Sequence, residues 1–384
     1  MQATKLFTSF FESEKASGII LLICTVTSIL LTNSFLGENY SHFWHLKIGA
    51  FSIEECINDG LMTIFFLMIG LELEREIYIG ELSHLKNALL PISGALGGIL
   101  APALLYFSIN HNTSFHNGIG IPMATDIAFA IGILSLLGNK VPTSLKVFLT
   151  ALAVIDDLGA ILVIAIFYSQ QIQWLYLSLS FGVLGLLFLM NKCKVYTIWP
   201  YLVGGVFMWY FMLNSGVHAT ITGVLLAFVI PFQKGEETSI SYQLQHWLHK
   251  PVSFLILPIF ALANTAILLQ FNSGESLLPT YGLGIILGLV IGKPLGITLF
   301  SYISVKIKVA QLPLDLNWKQ IFGAGILGGI GFTMSIFITL LAFTDTTTIN
   351  NAKLYIIIAS FLAGVIGLIF LRSVLKTNEN LNIE

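Results

Sequence analysis

The segment Leu152–Leu162, with the sequence LAVIDDLGAIL, places two adjacent carboxylates in the middle of an apolar run from about Leu145 to Tyr168. A run of that length can cross a bilayer as an α-helix. Each acid near the bilayer centre costs about 2.5–3.5 kcal/mol on insertion scales, and Asp156 and Asp157 also repel each other. Such a pair is expected to face a protein interior or a water cavity, where it marks a functional site. The alternative is a polar pair that only holds helices together.

The composition is that of an integral membrane protein. Of the 384 residues, 56% are hydrophobic and only 10% are charged, whereas soluble domains carry about 25% charged residues. The net charge of −2 gives no reason to expect a nucleic-acid partner. The cysteines Cys24, Cys56 and Cys193 lie far apart and form neither a disulfide framework nor a metal-binding spacing. We expect no cofactor.

Hydropathy predicts about twelve transmembrane helices, which form a single transmembrane domain, residues 1–384. The predicted spans are 16–34, 57–77, 88–108, 119–138, 145–169, 174–190, 197–213, 216–232, 251–270, 281–304, 321–343 and 352–373. Fifteen of the 18 Lys and Arg residues fall on one side, Lys47 and Lys353 fall on the other, and Lys293 lies inside a span. Because cytoplasmic loops are enriched in these residues, both termini are predicted to be cytoplasmic.

Spans four and eleven share an interrupted pattern. Residues 118–127 read GIGIPMATDI and residues 328–336 read GGIGFTMSI, so each has Gly or Pro followed by Thr at mid-membrane. The spans are seven apart and cross in opposite directions, which predicts inverted repeats formed by spans 3–5 and 10–12. Interrupted segments in two such repeats are typical of transporter binding sites. We therefore predict an all-α polytopic membrane protein with two discontinuous helices.

Four ionisable side chains are predicted to share one depth in the membrane. Asp156 and Asp157 lie near the middle of span five, Lys293 near the middle of span ten and Asp126 near the middle of span four. If spans four and eleven are broken, Asp126 could offset positive helix N-termini and Lys293 negative C-termini. Thr125 would add a hydroxyl and an exposed carbonyl. The alternative for Asp126 and Lys293 is a purely structural ion pair.

The acid pair suggests an exchange mechanism. Asp156 and Asp157 point about 100° apart on a helix, so one can face Lys293 while the other faces water. Burial, mutual repulsion and a nearby ammonium compete in setting the protonation of such a pair. An acid that titrates near neutral pH binds either a proton or a small hard cation, which prefers oxygen ligands. Competition for one site, combined with alternating access, exchanges a cation for a proton.

Two charged clusters suggest a response to pH. Glu72, Arg75 and Glu76 have i, i+3, i+4 spacing and share one helical face at the cytoplasmic end of span two. His246 and His249 lie just before span nine, and histidine is the side-chain type that serves most often as a pH switch. The alternatives are an interfacial charge network for the first three residues and solvated loop residues for the two histidines.

Five stretches together resemble the NhaA family of sodium/proton antiporters. They are ATDIAFA at 124–130, AVIDDLGA at 153–160, SGVHAT at 215–220, IGKPLG at 291–296 and GIGFTMSIF at 329–337. The resemblance runs over nearly the whole chain. It implies an electrogenic, homodimeric exchanger in the lipid of the bacterial inner membrane, which exports sodium or lithium for protons in pH and sodium homeostasis.

The resemblance also implies roles for individual residues. Asp157 matches the main sodium ligand, and Asp156 matches the neighbouring acid that pairs with Lys293. Thr125 and Asp126 match the unwound part of span four. The pH-response cluster of the family is matched by Glu72, Arg75 and Glu76.

One departure from the family concerns pH. The best-known member has a Glu directly before the first histidine ahead of span nine, whereas this chain has Gln245 before His246. An amide cannot titrate or accept a salt bridge as a carboxylate does. We expect a pH threshold that is shifted or blunted.

Two alternative functions are compatible with acidic residues inside the membrane. A proton-coupled symporter of a small solute could use similar charges, but it would need aromatic or Arg anchors, and no intramembrane Arg is present. An intramembrane aspartyl protease needs two aspartates on different helices, one in a Gly-x-Gly-Asp setting, whereas MAT precedes Asp126. We therefore predict a transporter rather than an enzyme.

Overall fold

A computed structural model describes residues 2–49, 51–168, 171–233, 239–269 and 278–381. The N-terminal part contains α1 (Gln2–Thr32), α2 (Gly37–His45), the paired strands β1 (Lys47–Ile48) and β2 (Phe51–Ser52), α3 (Ile53–Glu55), α4 (Met62–Tyr78) and α5 (Leu85–Asn110). The middle contains α6 (Ile127–Ser135), α7 (Thr143–Phe167), α8 (Trp174–Lys192), α9 (Trp199–Leu213), α10 (Ile221–Ala227), α11 (Ile240–Pro251) and α12 (Leu257–Asn264). The C-terminal part contains α13 (Thr280–Leu287), α14 (Lys293–Lys306), α15 (Trp318–Gly328), α16 (Phe332–Ala342) and α17 (Thr346–Leu381).

Nine helical segments of the described residues are long and apolar enough to cross a membrane, and the bent pair α15 and α16 makes a tenth. The prediction of a polytopic all-α membrane protein is confirmed, whereas the count of twelve is not. Predicted spans seven and eight correspond to α9, with 15 residues, and α10, with seven. Both are shorter than the ~20 residues that cross a bilayer. Lys234 and residues 169 and 270, the ends of predicted spans five and nine, lie outside the described residues.

Both predicted interruptions are present. Span four consists of a 3₁₀ helix (His116–Met123), the non-helical residues 124–126 and α6. In span eleven, α15 and α16 are separated by residues 329–331 and bent by 47°. The first half of each interrupted span packs against the second half of the other, which is the arrangement that two oppositely directed segments produce.

Contacts along the chain group it into two compact units. The first comprises Met1–Ile29, His84–Ala160 and Ile267–Glu384, and the second comprises Leu30–Ser83 and Ile161–Ala266. Each unit is made of segments that are discontinuous in sequence. The prediction of one transporter domain over 1–384 stays a prediction.

In the first unit, α14 packs closely along α5. A Cβ atom at Gly292 would lie 2.9 Å from Cα of Pro102, and one at Gly296 would lie 2.6 Å from Cβ of Ala101. Only glycine lets the backbones approach so closely. A π-helical turn (Gly288–Gly292) precedes α14, and such turns are frequent at functional sites. This packing buries Lys293, the first residue of α14.

In the second unit, α4 packs against α10 and α11. Leu67, Gly70, Leu71 and Glu74 are buried at i, i+3, i+4, i+7 spacing and form one stripe of α4. The buried residues of α11 follow the same spacing; they are Ser241, Leu244, Gln245 and Leu248. Each helix therefore carries one long polar side chain, Glu74 or Gln245, within its buried stripe.

Candidate ion-binding site

Asp156 and Lys293 form a buried ion pair in the first unit. Both Asp156 and its neighbour Asp157 on α7 are 1% exposed, and Lys293 is fully buried. Lys293 Nζ donates hydrogen bonds to Asp156 Oδ2 at 2.5 Å and to the carbonyl oxygen of Met123. Met123 ends the 3₁₀ helix of span four, so the ammonium also meets the negative end of a half-helix. Because an uncompensated buried charge costs several kcal/mol, each partner stabilises the ionised form of the other.

Asp126 caps two half-helices with one carboxylate. Its Oδ1 accepts a hydrogen bond from the N–H of Phe129 in α6 at 3.0 Å. Its Oδ2 accepts from the N–H of Thr333 in α16 at 3.1 Å and from the Thr333 hydroxyl at 2.5 Å. The N–H of Asp126 donates to the carbonyl of Ile330 at 2.6 Å. The carboxylate thus meets the positive ends of α6 and α16, where an anion is favoured.

Thr125 joins the ion pair to the second interrupted span. Its Oγ1 lies 2.6 Å from Asp156 Oδ2 and 2.8 Å from the carbonyl oxygen of Gly328, the last residue of α15. Since a hydroxyl has one proton, it fully donates to only one of these acceptors at a time. Asp156 Oδ1 is buried and has no hydrogen-bond partner among the described residues. The cluster therefore retains acceptor oxygen for a further proton or cation.

The formal charges of the cluster do not cancel. Three carboxylates, Asp126, Asp156 and Asp157, accompany one ammonium, and the charge of Asp157 acts on Lys293. The two half-helix N-termini contribute about +0.5 each and the two C-termini about −0.5 each, so the helix ends offset one another. The fully ionised cluster therefore carries about two negative charges. Such a cluster attracts protons and cations.

The five residues predicted to form a site in the membrane lie together in the first unit; they are Thr125, Asp126, Asp156, Asp157 and Lys293. Among the described residues, no three His, Cys, Asp or Glu side chains converge to hold a metal ion. A hard cation at this cluster would therefore use hydroxyl or carbonyl oxygens beside the carboxylates. The transport roles of these five residues remain predictions.

The residues predicted to respond to pH lie in the second unit. Glu72 and Glu76 on α4 and His249 on α11 are half-buried, whereas Arg75 and His246 are exposed. The two groups of residues lie on helices that pack against each other, α4 and α11. Their roles remain predictions too.

Two residues that support the site, Thr333 and Ser360, were not among the predicted site residues. Thr333 holds Asp126, and Ser360 Oγ on α17 accepts the N–H of Phe332 at 3.1 Å. Both contacts satisfy donors in the first turn of α16, which have no partner within their own helix. The available signal was the Gly-rich interruption itself, because a helix that restarts inside a membrane needs acceptors for its first N–H groups.

The chain has close relatives among known proteins. The sequence model of the family described as Na+/H+ antiporter 1 matches residues 8–371. The chain is 61% identical over 384 residues, all of both chains, to a Na(+)/H(+) antiporter NhaA of Flavobacterium psychrophilum. It is 60% identical over 376 residues, 98% of this chain and 97% of the other, to the protein of that name from Cytophaga hutchinsonii. It is 57% identical over 381 residues, 98% of each chain, to that of Dechloromonas aromatica. The chain therefore belongs to the Na+/H+ antiporter 1 family.

Proposed function

We propose that this multi-pass membrane protein is an electrogenic secondary antiporter that exports sodium or lithium from the cytoplasm in exchange for protons. The observation that carries the proposal is the buried cluster of three carboxylates and one ammonium at the crossing of two interrupted spans. The names of its relatives, Na(+)/H(+) antiporters, support the same substrates. They give no support to a proton-coupled solute symporter, and they name transporters rather than enzymes.

Asp157 is the main ligand of the transported cation in this proposal, and Asp156 is the second. A sodium ion needs ionised carboxylate oxygens, so protons and sodium compete for the same groups. One sodium ion neutralises one of the two excess negative charges, whereas protons can neutralise both. A cycle in which more protons than sodium ions occupy the cluster moves net charge across the membrane.

The other residues of the cluster position these ligands. Lys293 holds Asp156 when no cation is bound, and Asp126 keeps the two half-helix N-termini together. The Thr125 hydroxyl can turn from Asp156 towards the end of α15, which frees carboxylate oxygen for a cation. The interrupted spans supply the carbonyl groups that a continuous helix would keep in its own hydrogen bonds.

The response to pH is part of the same proposal. Glu72, Arg75, Glu76, His246 and His249 would sense the pH at the cytoplasmic side. Gln245 is buried and uncharged at any pH, so the threshold is expected to be shifted or blunted. A sharp switch in vesicle assays would contradict this expectation.

The proposed setting is the bacterial inner membrane, with both termini in the cytoplasm and the protein acting as a homodimer in pH and sodium homeostasis. The excess of Lys and Arg in predicted cytoplasmic loops supports the orientation. Both compact units belong to one transporter domain, residues 1–384, because neither unit is a continuous stretch of sequence.

The decisive experiment is sodium-driven proton movement in everted membrane vesicles, scanned over pH. Asp157→Asn keeps the shape of the side chain but removes its charge, so exchange is expected to fall to background at every pH. Asp315→Asn is the matched control, because Asp315 is an exposed aspartate outside the cluster. Exchange by the Asp157→Asn protein at the normal rate would contradict the proposal.

A further inference from the structure

Glu74 is a buried acid that takes no part in the proposed ion-binding site or in the proposed pH-response residues. It is 4% exposed, and its Oε2 is buried without a hydrogen-bond partner in the described part of the chain. The neighbouring charged residues Glu72, Arg75 and Glu76 are half-buried or exposed. One turn of α4 thus carries three acids, and only the middle one is withdrawn from water.

The stripe of α4 that holds Glu74 packs on residues 224–232, which form an apolar wall. Gly70, one turn before Glu74, lies so close to α10 that an added Cβ would be 2.6 Å from Cβ of Ala227. Tyr78, one turn after Glu74, stacks on Phe232 with ring centroids 5.1 Å apart. Since residues at i, i+4 and i+8 share one face of a helix, Glu74 faces the same wall between these two contacts.

The wall offers the carboxyl no polar side chain. Residues 224–232 read VLLAFVIPF, and most of them are buried. An ionised carboxylate buried without a partner is far more costly than the neutral acid. The geometry therefore favours a bound proton on Glu74 for as long as α4 stays packed on this segment.

Few titratable or charged groups lie on the elements that pack against α4. They are Cys56, Asp59, Glu81, Tyr242, His246, His249 and Lys250, whereas α10 and residues 252–256 carry none. His246 and Lys250 are exposed, and His249 is half-buried. Asp59 lies 15 residues before Glu74, about 20 Å along the helix axis. Gln245, the long buried side chain of α11, does not titrate.

We infer that Glu74 is a second proton-binding site of this protein, separate from the acid pair on α7. Its carboxyl holds a proton while α4 packs on residues 224–232, and it releases that proton to water when the end of α4 moves away from the wall. The alkaline form would then have a loosened α4 and the acid form a packed one. This inference extends the proposed pH response and rests on the antiporter function for its transport readout.

Infrared difference spectroscopy of the full-length protein tests the site directly, because the C=O stretch of a protonated carboxyl is absent from the ionised form. Spectra recorded between neutral and alkaline pH are expected to show a carboxylic-acid band that Glu74→Gln removes. Glu74→Asp retains a titratable group and should retain a band at a shifted pH, while the Asp315→Asn control should leave the band unchanged. An unchanged band in Glu74→Gln overturns the inference.

The pH profile of sodium/proton exchange in proteoliposomes tests the link to transport. Glu74→Gln is permanently neutral and is expected to move the pH of half-maximal exchange by about one unit, without changing the sodium concentration for half-maximal rate at the optimum. A profile that coincides with that of Asp315→Asn overturns the link. If the unaltered protein exchanges no sodium, the proposed function fails, and the infrared result still decides whether Glu74 binds a proton.

Discussion

Thr333 gives Asp126 two hydrogen bonds, one from its backbone N–H at 3.1 Å and one from its hydroxyl at 2.5 Å. Hydrogen bonds to charged groups contribute about 1.5–3 kcal/mol. Thr333→Val keeps the shape and the N–H but removes the hydroxyl donor, so the cap on α16 is weakened. We expect this change to raise the sodium concentration for half-maximal exchange by about tenfold, measured in proteoliposomes.

Thr339 provides the matched control on the same helix. It is fully buried, and its hydroxyl donates to the carbonyl of Ser335 at 2.8 Å, within α16. Thr339→Val is therefore expected to leave the sodium dependence unchanged. Equal losses in both variants would attribute the effect to folding of α16 rather than to the support of Asp126.

Some contacts of the site could be predicted from the sequence, and others could not. Pairing of Lys293 with an acid of span five was foreseeable, because opposite charges buried at one depth must meet. The contact between Thr333 and Asp126 joins residues 207 positions apart, and it depends on how two broken helices cross. Glu74 was not predicted as a site residue, because the i, i+3, i+4 spacing of Glu72, Arg75 and Glu76 selects the opposite face of α4.

The contact between α5 and α14 depends on a glycine in the π-helical turn that precedes α14. A Cβ at Gly292 would lie 2.9 Å from Cα and 3.2 Å from N of Pro102, and these backbone atoms cannot rotate away. Gly292→Ala is therefore expected to lower the stability of the purified protein by about 1–3 kcal/mol. Thermal unfolding in detergent measures the change.

Gly185 in α8 is the control for this element. An added Cβ there meets nothing within 4 Å, so Gly185→Ala should gain about 0.5–1 kcal/mol from the better helix propensity of alanine. A shift of the same sign in both variants would contradict the role of close packing at Gly292.

Helices and their interruptions were predictable where the apolar composition and the positions of Gly and Pro agree. Pro122 and the glycines at 328, 329 and 331 mark the two interruptions, because they lack either an N–H donor or a side chain that restricts the backbone. The count of twelve spans is not confirmed at predicted span eight. Its apolar residues 216–232 read as one span, yet Gly216 has a φ of +84° and Pro231 follows closely after α10, so only seven residues form an α-helix.

At the scale of the whole molecule, the predicted orientation places two exposed cysteines on opposite sides of the membrane. Cys56 lies at the predicted outer end of span two, and Cys193 follows span six, between Lys192 and Lys194, on the predicted cytoplasmic side. Cys24 lies within span one and is half-buried. The natural thiols therefore report the orientation without added tags.

A membrane-impermeant maleimide applied to spheroplasts is expected to label Cys56 and to spare Cys193, whereas everted vesicles should give the reverse. The reason is that translocation of Lys-rich and Arg-rich short loops is disfavoured, which fixes the side on which residues 192–194 remain. Cys56→Ser should abolish labelling only in spheroplasts and Cys193→Ser only in everted vesicles, and the double variant reports any reaction at Cys24. Labelling of Cys193 from the outside would reverse the orientation and, with it, the assignment of both termini to the cytoplasm.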